Sequence, residues 1–524
     1  MSKKAVSILL VVIISLLLIS YHFYEFLKVF SSNPSDMWSR DLSVGEKNLN
    51  MPSPLFWDGG SVYGIWTNDT GFAISQIYPF SKDRKKIFIK NFNETSVKNI
   101  EYYKGKIYWS ENDNINEMET NGDSYENLNI IAVNFKIVDD YIITVNSQGI
   151  EIFNIANNFK KLSEVNLKNV SQIDAVHKNG TLYVSVLVDD KQEYKIYYLS
   201  YDIKRQRWST PIEVYKLPQT ATSKLDNIKI GYDKKVYIFY NLTSKTSSNV
   251  YYFYFDPQNS KRLEPRKLEL NVYGKIPSPD VGAFDIKEFQ DGIAGVFSAL
   301  SSYKIIGQSR VEGTEIIYAS FKDGGIAKVK SVTKEGGWAS EPYLLNTPKG
   351  LFLSWIETGG FYKYIVKVAS TNPEFIKQVS GIRKLDIQNA LSLCTFSISA
   401  ALLLGFIMTF SVSLPGYGWL LFVMLFEPRK FKNESINSFY IGMSLYGAAK
   451  YFFYPPQVIK NSMEQIPFPY NLNIIPILTL VLSFVFVKMY FGGKKFNSNF
   501  AAFTFMVIID SLFINLFYAP FLIK

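Results

Sequence analysis

The sequence predicts an all-β propeller of six to eight blades, flanked by transmembrane α-helices, one before it and about four after. Three observations carry that prediction. A short phrase recurs through residues 35–375: a turn with Gly, Asp or Asn, then four to six β-forming residues. The spacing between phrases, roughly 35 to 60 residues, centres near the 40–50 expected of propeller blades. Long apolar runs lie outside this region, at residues 5–20 and again beyond residue 388.

The stretch around which the repeat is organised is YYKGKIYWSENDNINEMETNGD, residues 102–123. Gly105 supplies a turn, Ile107-Tyr108-Trp109 is a short β-rich run, and Asn121-Gly122 is a strong hairpin signal. Variants occur as DGGSVYGIW (58–66), KGKIYW (104–109), DDYIITV (139–145) and NGTLYVSV (179–186). DKKVYIFY (233–240), DGIAGVF (291–297) and KGLFLSW (349–355) complete the series. Second runs such as YKIYYLSYD (194–202) and NVYYFYFDPQ (249–258) give the strand-turn-strand alternation that a four-stranded blade requires. A pair of β-sandwiches is the alternative for a chain with this many short strands.

GKIYWSENDNINEMETNGD resembles the YWTD-type propeller repeats of lipoprotein-receptor ectodomains and their bacterial relatives. The resemblance rests on Tyr108, Trp109, Ile115 and Asn121-Gly122, with Ser110 and Glu111 where Thr and Asp are usual. It covers about one blade and implies a fold, not a partner. GLFLSW is similar to sialidase-like propellers, but no S-x-D-x-G-x-x-W box occurs in the chain.

Charge and composition exclude several function classes. The chain carries 56 Lys+Arg against 46 Asp+Glu, a formal net charge of +10. Residues 35–380 contribute only +2 of this, and the segments flanking them +2 and +6. The excess therefore borders apolar runs, where it sets membrane orientation, and no nucleic-acid partner is expected. Cys394 is the only cysteine and lies in an apolar run, so the polar region is held by its core without disulfides. His22 and His177 are the only histidines, which leaves no His-rich metal site and no Ser-His or Cys-His device; neither metal nor cofactor is expected. Richness in Lys, Asn, Ile and Tyr points to an AT-rich bacterial genome.

Three regions follow: residues 1–34 as an N-terminal membrane anchor, 35–375 as the propeller, and 376–524 as a helical membrane domain. MSKK precedes the apolar run 5–20, and bulky YHFYEFL follows it where a cleavage site would need small residues. This favours a retained anchor over a cleaved signal peptide. FIKQVSGIRKLDIQ (375–388) reads as a basic approach segment at the membrane surface. Further spans are expected at 389–413, 436–454, 473–491 and 499–523. LPGYG is expected to break the first of these, leaving 414–426 as a re-entrant or interfacial piece. The basic loops EPRKFKN (427–433) and GGKK (492–495) should be cytoplasmic. That gives five spans, or six if 419–426 crosses. It places the chain in the cell membrane as a multi-pass protein, in contact with membrane lipids, with the propeller outside.

Few residues stand out chemically. Asp510 sits deep in the last span, where a carboxylate is costly and marks either a functional site or a structural ion pair; Lys450 and Lys488 are the cations within reach. Pro415, Gly416 and Gly418 beside Trp419 suit either a broken helix or an interfacial turn anchored by Tyr417 and Trp419. Trp66, Trp109 and Trp355 end inner-strand phrases and read as ligand-stacking aromatics or as inter-blade core. ENDNINEMETNGD (111–123) offers Ca²⁺-type ligands but fails the EF-hand spacing, and reads more simply as a solvated loop. The adjacent pairs Asp139-Asp140 and Asp189-Asp190 read as turn residues.

No catalytic residue is assigned. The expected function is a binding scaffold or sensor, whose propeller mouth meets an envelope protein or glycan. Two alternatives stand beside it: a carbohydrate-active enzyme using propeller carboxylates, favoured by a cluster of buried carboxylates in the channel, and an export or transport component with the propeller as its external gate.

Overall fold

The computed structural model describes residues 3–48, 50–81, 84–89, 92–120, 125–257, 263–271, 278–303, 311–334, 337–360, 363–427, 436–453, 474–492, 496 and 498–519. They fall into two compact units, one of sheets between Asn33 and Ser380 and one of the helices before and after it.

The sheet unit is a seven-bladed β-propeller, each blade an antiparallel meander of four strands. In blade 4 the outermost position is shared by Arg207–Trp208 and Ile212–Pro218, both paired with Glu193–Asp202. The innermost strands are, in blade order, Leu55–Asp58, Val97–Tyr103, Asn134–Val138, Val170–Lys178, Ser223–Tyr232, Val281–Phe289 and Ala339–Thr347. Each of the seven recurring phrases is the turn between the first and second strands of one blade, followed by that second strand. The turn chemistry explains why the phrase recurs. Gly59-Gly60, Lys104-Gly105 and Asn179-Gly180 hold positive φ at both central positions, the twist that lets two right-handed strands return tightly on each other. Asn121-Gly122 lies outside the described residues.

Blade 7 takes its fourth strand from the start of the unit. Leu42–Lys47 pairs antiparallel with Tyr364–Ser370, and Ser39 extends the closure by donating its N–H to the Ser370 carbonyl at 2.9 Å. The core is a ring of interfaces. Each apolar cluster joins two neighbouring blades: Ile65, Phe72 and Trp109 join blades 1 and 2, Phe239, Phe284 and Phe297 join blades 5 and 6, and Val44, Trp66 and Phe352 join blades 7 and 1 across the closing strand. Burial of Val, Ile, Phe and Tyr between pleated faces holds the blades, and the chain needs no disulfide for it.

The helical unit contains helices Lys3–Ser31, Lys384–Phe426, Ile436–Phe453, Ile475–Phe491 and Asn499–Tyr518. Lys3–Ser31, Lys384–Phe426 and Asn499–Tyr518 are long and apolar enough to cross a membrane, and Ile475–Phe491 is a shorter apolar helix. The basic loops at 428–435 and 493–495, and the connection 454–473, lie outside the described residues.

The break expected at LPGYG does not occur. Lys384–Phe426 is one helix of 43 residues with Pro415 inside it, about 65 Å long at 1.5 Å per residue. A proline removes one backbone bond and crowds the preceding turn, but nearby contacts hold the helix in place. Ser411 and Ser413 donate their hydroxyls to the carbonyls of Ile407 and Phe410 at 3.1 and 2.7 Å. Gly416 lies against Phe503, where a Cβ would overlap the ring, and Tyr417 donates to Thr504 Oγ1 at 3.2 Å. Packing against the last helix thus carries the helix through a sequence that would end it in isolation.

Candidate functional site

An innermost strand has blade core on one face and the central channel on the other, so its alternate side chains serve the two. In five consecutive blades one step of that strand carries a charge between apolar neighbours: Glu101, Lys136, Asp174, Lys229 and Asp285. The sign alternates around the ring, and Tyr343 follows in blade 7. The Lys136 ammonium lies 2.6 Å from Glu101, and Lys229 and Lys287 lie 3.3 and 3.7 Å from Asp285. Asp174 accepts the Ile230 N–H and Asp285 the Leu344 N–H, each at 2.9 Å. Each of these carboxylates is therefore answered from the next blade. Burial works against the Lys136 charge, yet Glu101 and Asp174 outweigh it and hold its pKa above that of an ordinary lysine. Burial likewise raises the Asp285 pKa, but Lys287 and Lys229 overcome it and hold it below the usual carboxylate value.

Two residues earlier on the strands comes a step of amides, Asn99, Asn134, Gln172 and Asn227. Asn99 donates to the Phe135 carbonyl at 2.6 Å, and Asn227 to the Phe284 carbonyl at 3.0 Å. Gln172 accepts the Ile228 N–H at 3.1 Å and donates to Asp226. At this end the strand starts surround a cavity of about 500 Å³, lined by these amides, the ring charges Glu101, Lys136, Asp174 and Lys229, and by Asp226, Asn241, Thr243 and Glu341. Toward the other end of the channel, Lys178 and Glu288 span blades 4 and 6 at 2.9 Å.

Glu341 differs from the rest. It lies at a register shift in the innermost strand of blade 7 and holds φ at +50°, a left-handed conformation uncommon for a residue other than Gly, Asn or Asp. It lines the cavity. Burial pushes its pKa up to about 6; Lys47 and Lys229 oppose the rise, and Asp226 adds to it. Lys47, the last residue of the closing strand, donates to the Met51 and Pro52 carbonyls at 2.8 and 3.4 Å and to Ser53 Oγ at 3.5 Å. It thereby pins the segment that brings Pro52 to the cavity wall. Burial brings the Lys47 pKa down to about 7, against the pull of Glu94 and Glu341.

Trp66, Trp109 and Trp355 lie elsewhere. They are 2%, 0% and 0% exposed and pack between blades. The indoles of Trp109 and Trp355 donate to Glu111 and Glu357, at 3.2 and 3.1 Å. Asn112 and Asp113 form a left-handed turn, with Asp113 2.5 Å from Lys98. Among the described residues no group of three or more His, Cys, Asp or Glu is placed to hold a metal ion.

In the helical unit Lys450 reaches both Asp510 oxygens at 2.7 and 2.8 Å, and also donates to the Pro476 carbonyl and Thr479 Oγ1. Tyr446 donates its hydroxyl to the same carboxylate. Asp510 is 0% exposed and Lys450 1%, so the pair is closed on itself. Lys488 instead lies over the rings of Phe484, Tyr440 and Phe496.

The channel ring was missed from the sequence, although its signal is present there. In Ile-Glu-Tyr (100–102), Phe-Lys-Ile (135–137), Ile-Asp-Ala (173–175), Ile-Lys-Ile (228–230) and Phe-Asp-Ile (284–286), a charge interrupts an apolar strand three to five residues before a hairpin turn. In a narrow channel withdrawn from water, such a charge must find its partner in a neighbouring blade.

No protein-family profile and no curated protein matches the chain. Solved structures similar to it include the N-terminal domain of Nup159, at 8% identity and a TM-score of 0.38, covering 65% of this chain and 97% of that one. They also include a polysaccharide lyase of family PL25, an ulvan lyase bound to -[GlcA(1-4)Rha3S]-, at 11% identity and a TM-score of 0.41, covering 66% and 99%.

Proposed function

We propose that this chain is a membrane-held binding protein whose propeller faces the extracytoplasmic side and receives a polar group of a glycan or protein in the cavity at the channel mouth. The observation that carries the reading is that cavity, about 500 Å³ and framed by hydrogen-bonding side chains from five blades. That size lies within the range of small-ligand sites. Its side chains project from paired strands rather than from mobile loops, so little ordering cost remains for a ligand to meet. The apolar helices and the basic residues bordering them support the membrane location and orientation. The likeness of blade 2 to YWTD-type repeats is in keeping with a binding propeller.

A second reading, carboxylate chemistry on a glycan, is favoured by one observation. Buried carboxylates do cluster in the channel, and Glu341, with its pKa near 6 and in the field of Asp226, is poised as an acid-base pair would be. Glu101, Asp174 and Asp285 weigh less on that side, because lysines and N–H groups of the next blades already engage them.

The test uses full-length protein in lipid nanodiscs on a glycan array, beside Asn134→Trp, which fills the cavity. Saturable binding lost in the variant without turnover supports the binding reading. Turnover abolished by Glu341→Gln would replace it with the enzymatic one. Location is tested with Ser147→Cys, since Ser147 is exposed and the native Cys394 buried. An impermeant maleimide should label the variant on intact cells, and labelling only after lysis would place the propeller inside.

A further inference from the structure

Resting on the reading of the channel mouth as a ligand site, we infer that the cavity accepts a primary ammonium group, carried on an aminated sugar and seated on the Glu341 carboxylate. Most charged groups around the cavity are already engaged. Of the cations around the cavity, Lys136 is held by Glu101 at 2.6 Å, Lys229 by Asp285 at 3.3 Å, and Lys98 by Asp113 at 2.5 Å. Lys224 lies 2.5 Å from Asp226, and Lys47 spends its donors on Met51, Pro52 and Ser53. Of the carboxylates, Asp174 and Asp226 accept backbone N–H groups from Ile230 and Asn227.

Glu341 is the exception: no hydrogen bond is made to its carboxylate among the described residues, and it faces the cavity. The site therefore has spare acceptors and few spare donors. An anionic ligand would find every nearby ammonium already paired, whereas an ammonium brings the donors and the charge that Glu341 lacks. Holding Glu341 in a left-handed conformation is a local cost that a merely structural position would shed by taking Gly or Asn.

The carrier follows from the walls. Phe135, Ile173 and Ile228 touch the cavity but are only 0%, 7% and 3% exposed, so their apolar surface is spent in the blades. What the wall offers besides Glu341 is polar, with Asn134 and Thr243 among it. Hydroxyl groups suit such a wall, and the four-carbon stem of a lysine side chain does not. Glu341 titrates in the field of Lys47, Asp226 and Lys229, with its pKa near 6. Protonation removes the charge that holds the ligand, so binding weakens in acid.

The experiment is isothermal titration of full-length protein in nanodiscs with three probes: a glucosamine tetramer, its fully N-acetylated counterpart, and Nα-acetyl-lysine amide. The glucosamine tetramer should bind saturably, at least tenfold more tightly than the acetylated one. Its affinity should fall at least tenfold in Glu341→Gln, and severalfold in wild type between pH 7 and pH 5. Equal binding of the acetylated tetramer, unchanged affinity in Glu341→Gln, binding of the lysine amide alone, or no saturation with any amine would each overturn the inference. Thermal unfolding of each variant establishes that it is folded, and Asn134→Trp separates the two readings. If the acetylated tetramer binds wild type but not Asn134→Trp, the mouth remains the site and only the ammonium preference fails. If a ligand binds Asn134→Trp as well as wild type, the mouth reading itself fails.

Discussion

The Lys136 ammonium and the Glu101 carboxylate meet at 2.6 Å in the channel of the propeller, both largely withdrawn from water, and join the innermost strands of blades 2 and 3. The pair is one of several inter-blade contacts made by side chains rather than by apolar packing. Asp174 to Ile230 and Asp285 to Leu344 do the same work between blades 4 and 5 and between blades 6 and 7. Replacing Lys136 by Met should leave Glu101 buried without its counter-charge. The expected loss is about 3–5 kcal/mol, while the double variant Lys136→Met with Glu101→Leu should recover much of it. Thermal unfolding of the four proteins as a double-mutant cycle measures the coupling.

Lys47 gives the closing strand a pH dependence. Its pKa falls from the ordinary lysine value to about 7 in the fold, so between those two values the unfolded chain binds more protons than the folded one. Stability contributed through this group therefore rises with pH across that window, and its penalty is complete below pH 7. The melting temperature of wild type should climb between pH 7 and pH 9.5 by more than that of Lys47→Met. Equal slopes would show that the Lys47 amine is not the group responsible.

Glu341 works with the opposite sign. Its folded pKa of about 6 lies above the ordinary glutamate value of 4.5, so its protonated form is favoured by folding. The contribution is fully present below pH 4.5 and lost as pH rises through 6. Glu341→Gln should therefore be more stable than wild type at pH 7.5, by up to about 2 kcal/mol, with the advantage gone near pH 4.5. Denaturation curves at the two pH values decide it, and an advantage that persists in acid would point to packing instead of charge.

Lys450 and Asp510 form the corresponding relationship in the helical unit. Asp510 was visible from the sequence as a carboxylate inside an apolar segment, and the structure joins it to Lys450, with Tyr446 and Thr479 completing the contacts. Asp510→Asn alone should destabilise the helices by about 3–5 kcal/mol, because it strands a buried ammonium. Lys450→Met combined with Asp510→Leu should restore most of that. If the double variant regains stability but a cellular defect produced by Asp510→Asn remains in it, the pair has a role beyond holding helices together.

What was legible in the sequence, and what was not, follows from the range of each interaction. The hairpin turns are local: Lys104-Gly105 and Asn179-Gly180 announce themselves by the residues that tolerate positive φ, and all seven phrases fall on second strands. The closing strand Leu42–Lys47 has no such mark, since its partner lies more than 300 residues later at Tyr364–Ser370. Pro415 misled for the same reason. Its local propensity is to end a helix, and the contacts that carry the helix past it come from Phe503 and Thr504. The candidate site is the extreme case, because Glu341, Asp226 and Lys229 come from two blades and no spacing relates them.

Trp66 shows how the closing strand and the core constrain each other. A side chain on Gly45 would overlap the Trp66 indole, and both residues belong to the seam where blade 7 meets blade 1. Gly45 sits beside a register shift in the closing strand, where a missing Cβ lets the backbone lie flat against the ring. Gly45→Ala should overpack this seam and cost about 1–3 kcal/mol. Trp66→Phe in the same chain removes the atoms that clash, so the double variant should be more stable than Gly45→Ala, although Trp66→Phe alone weakens the wild-type core. Ligand affinity should follow none of these changes, because Trp66 is 2% exposed and absent from the cavity wall. A selective loss of binding in Trp66→Phe, at unchanged melting temperature, would return this residue to the ligand site.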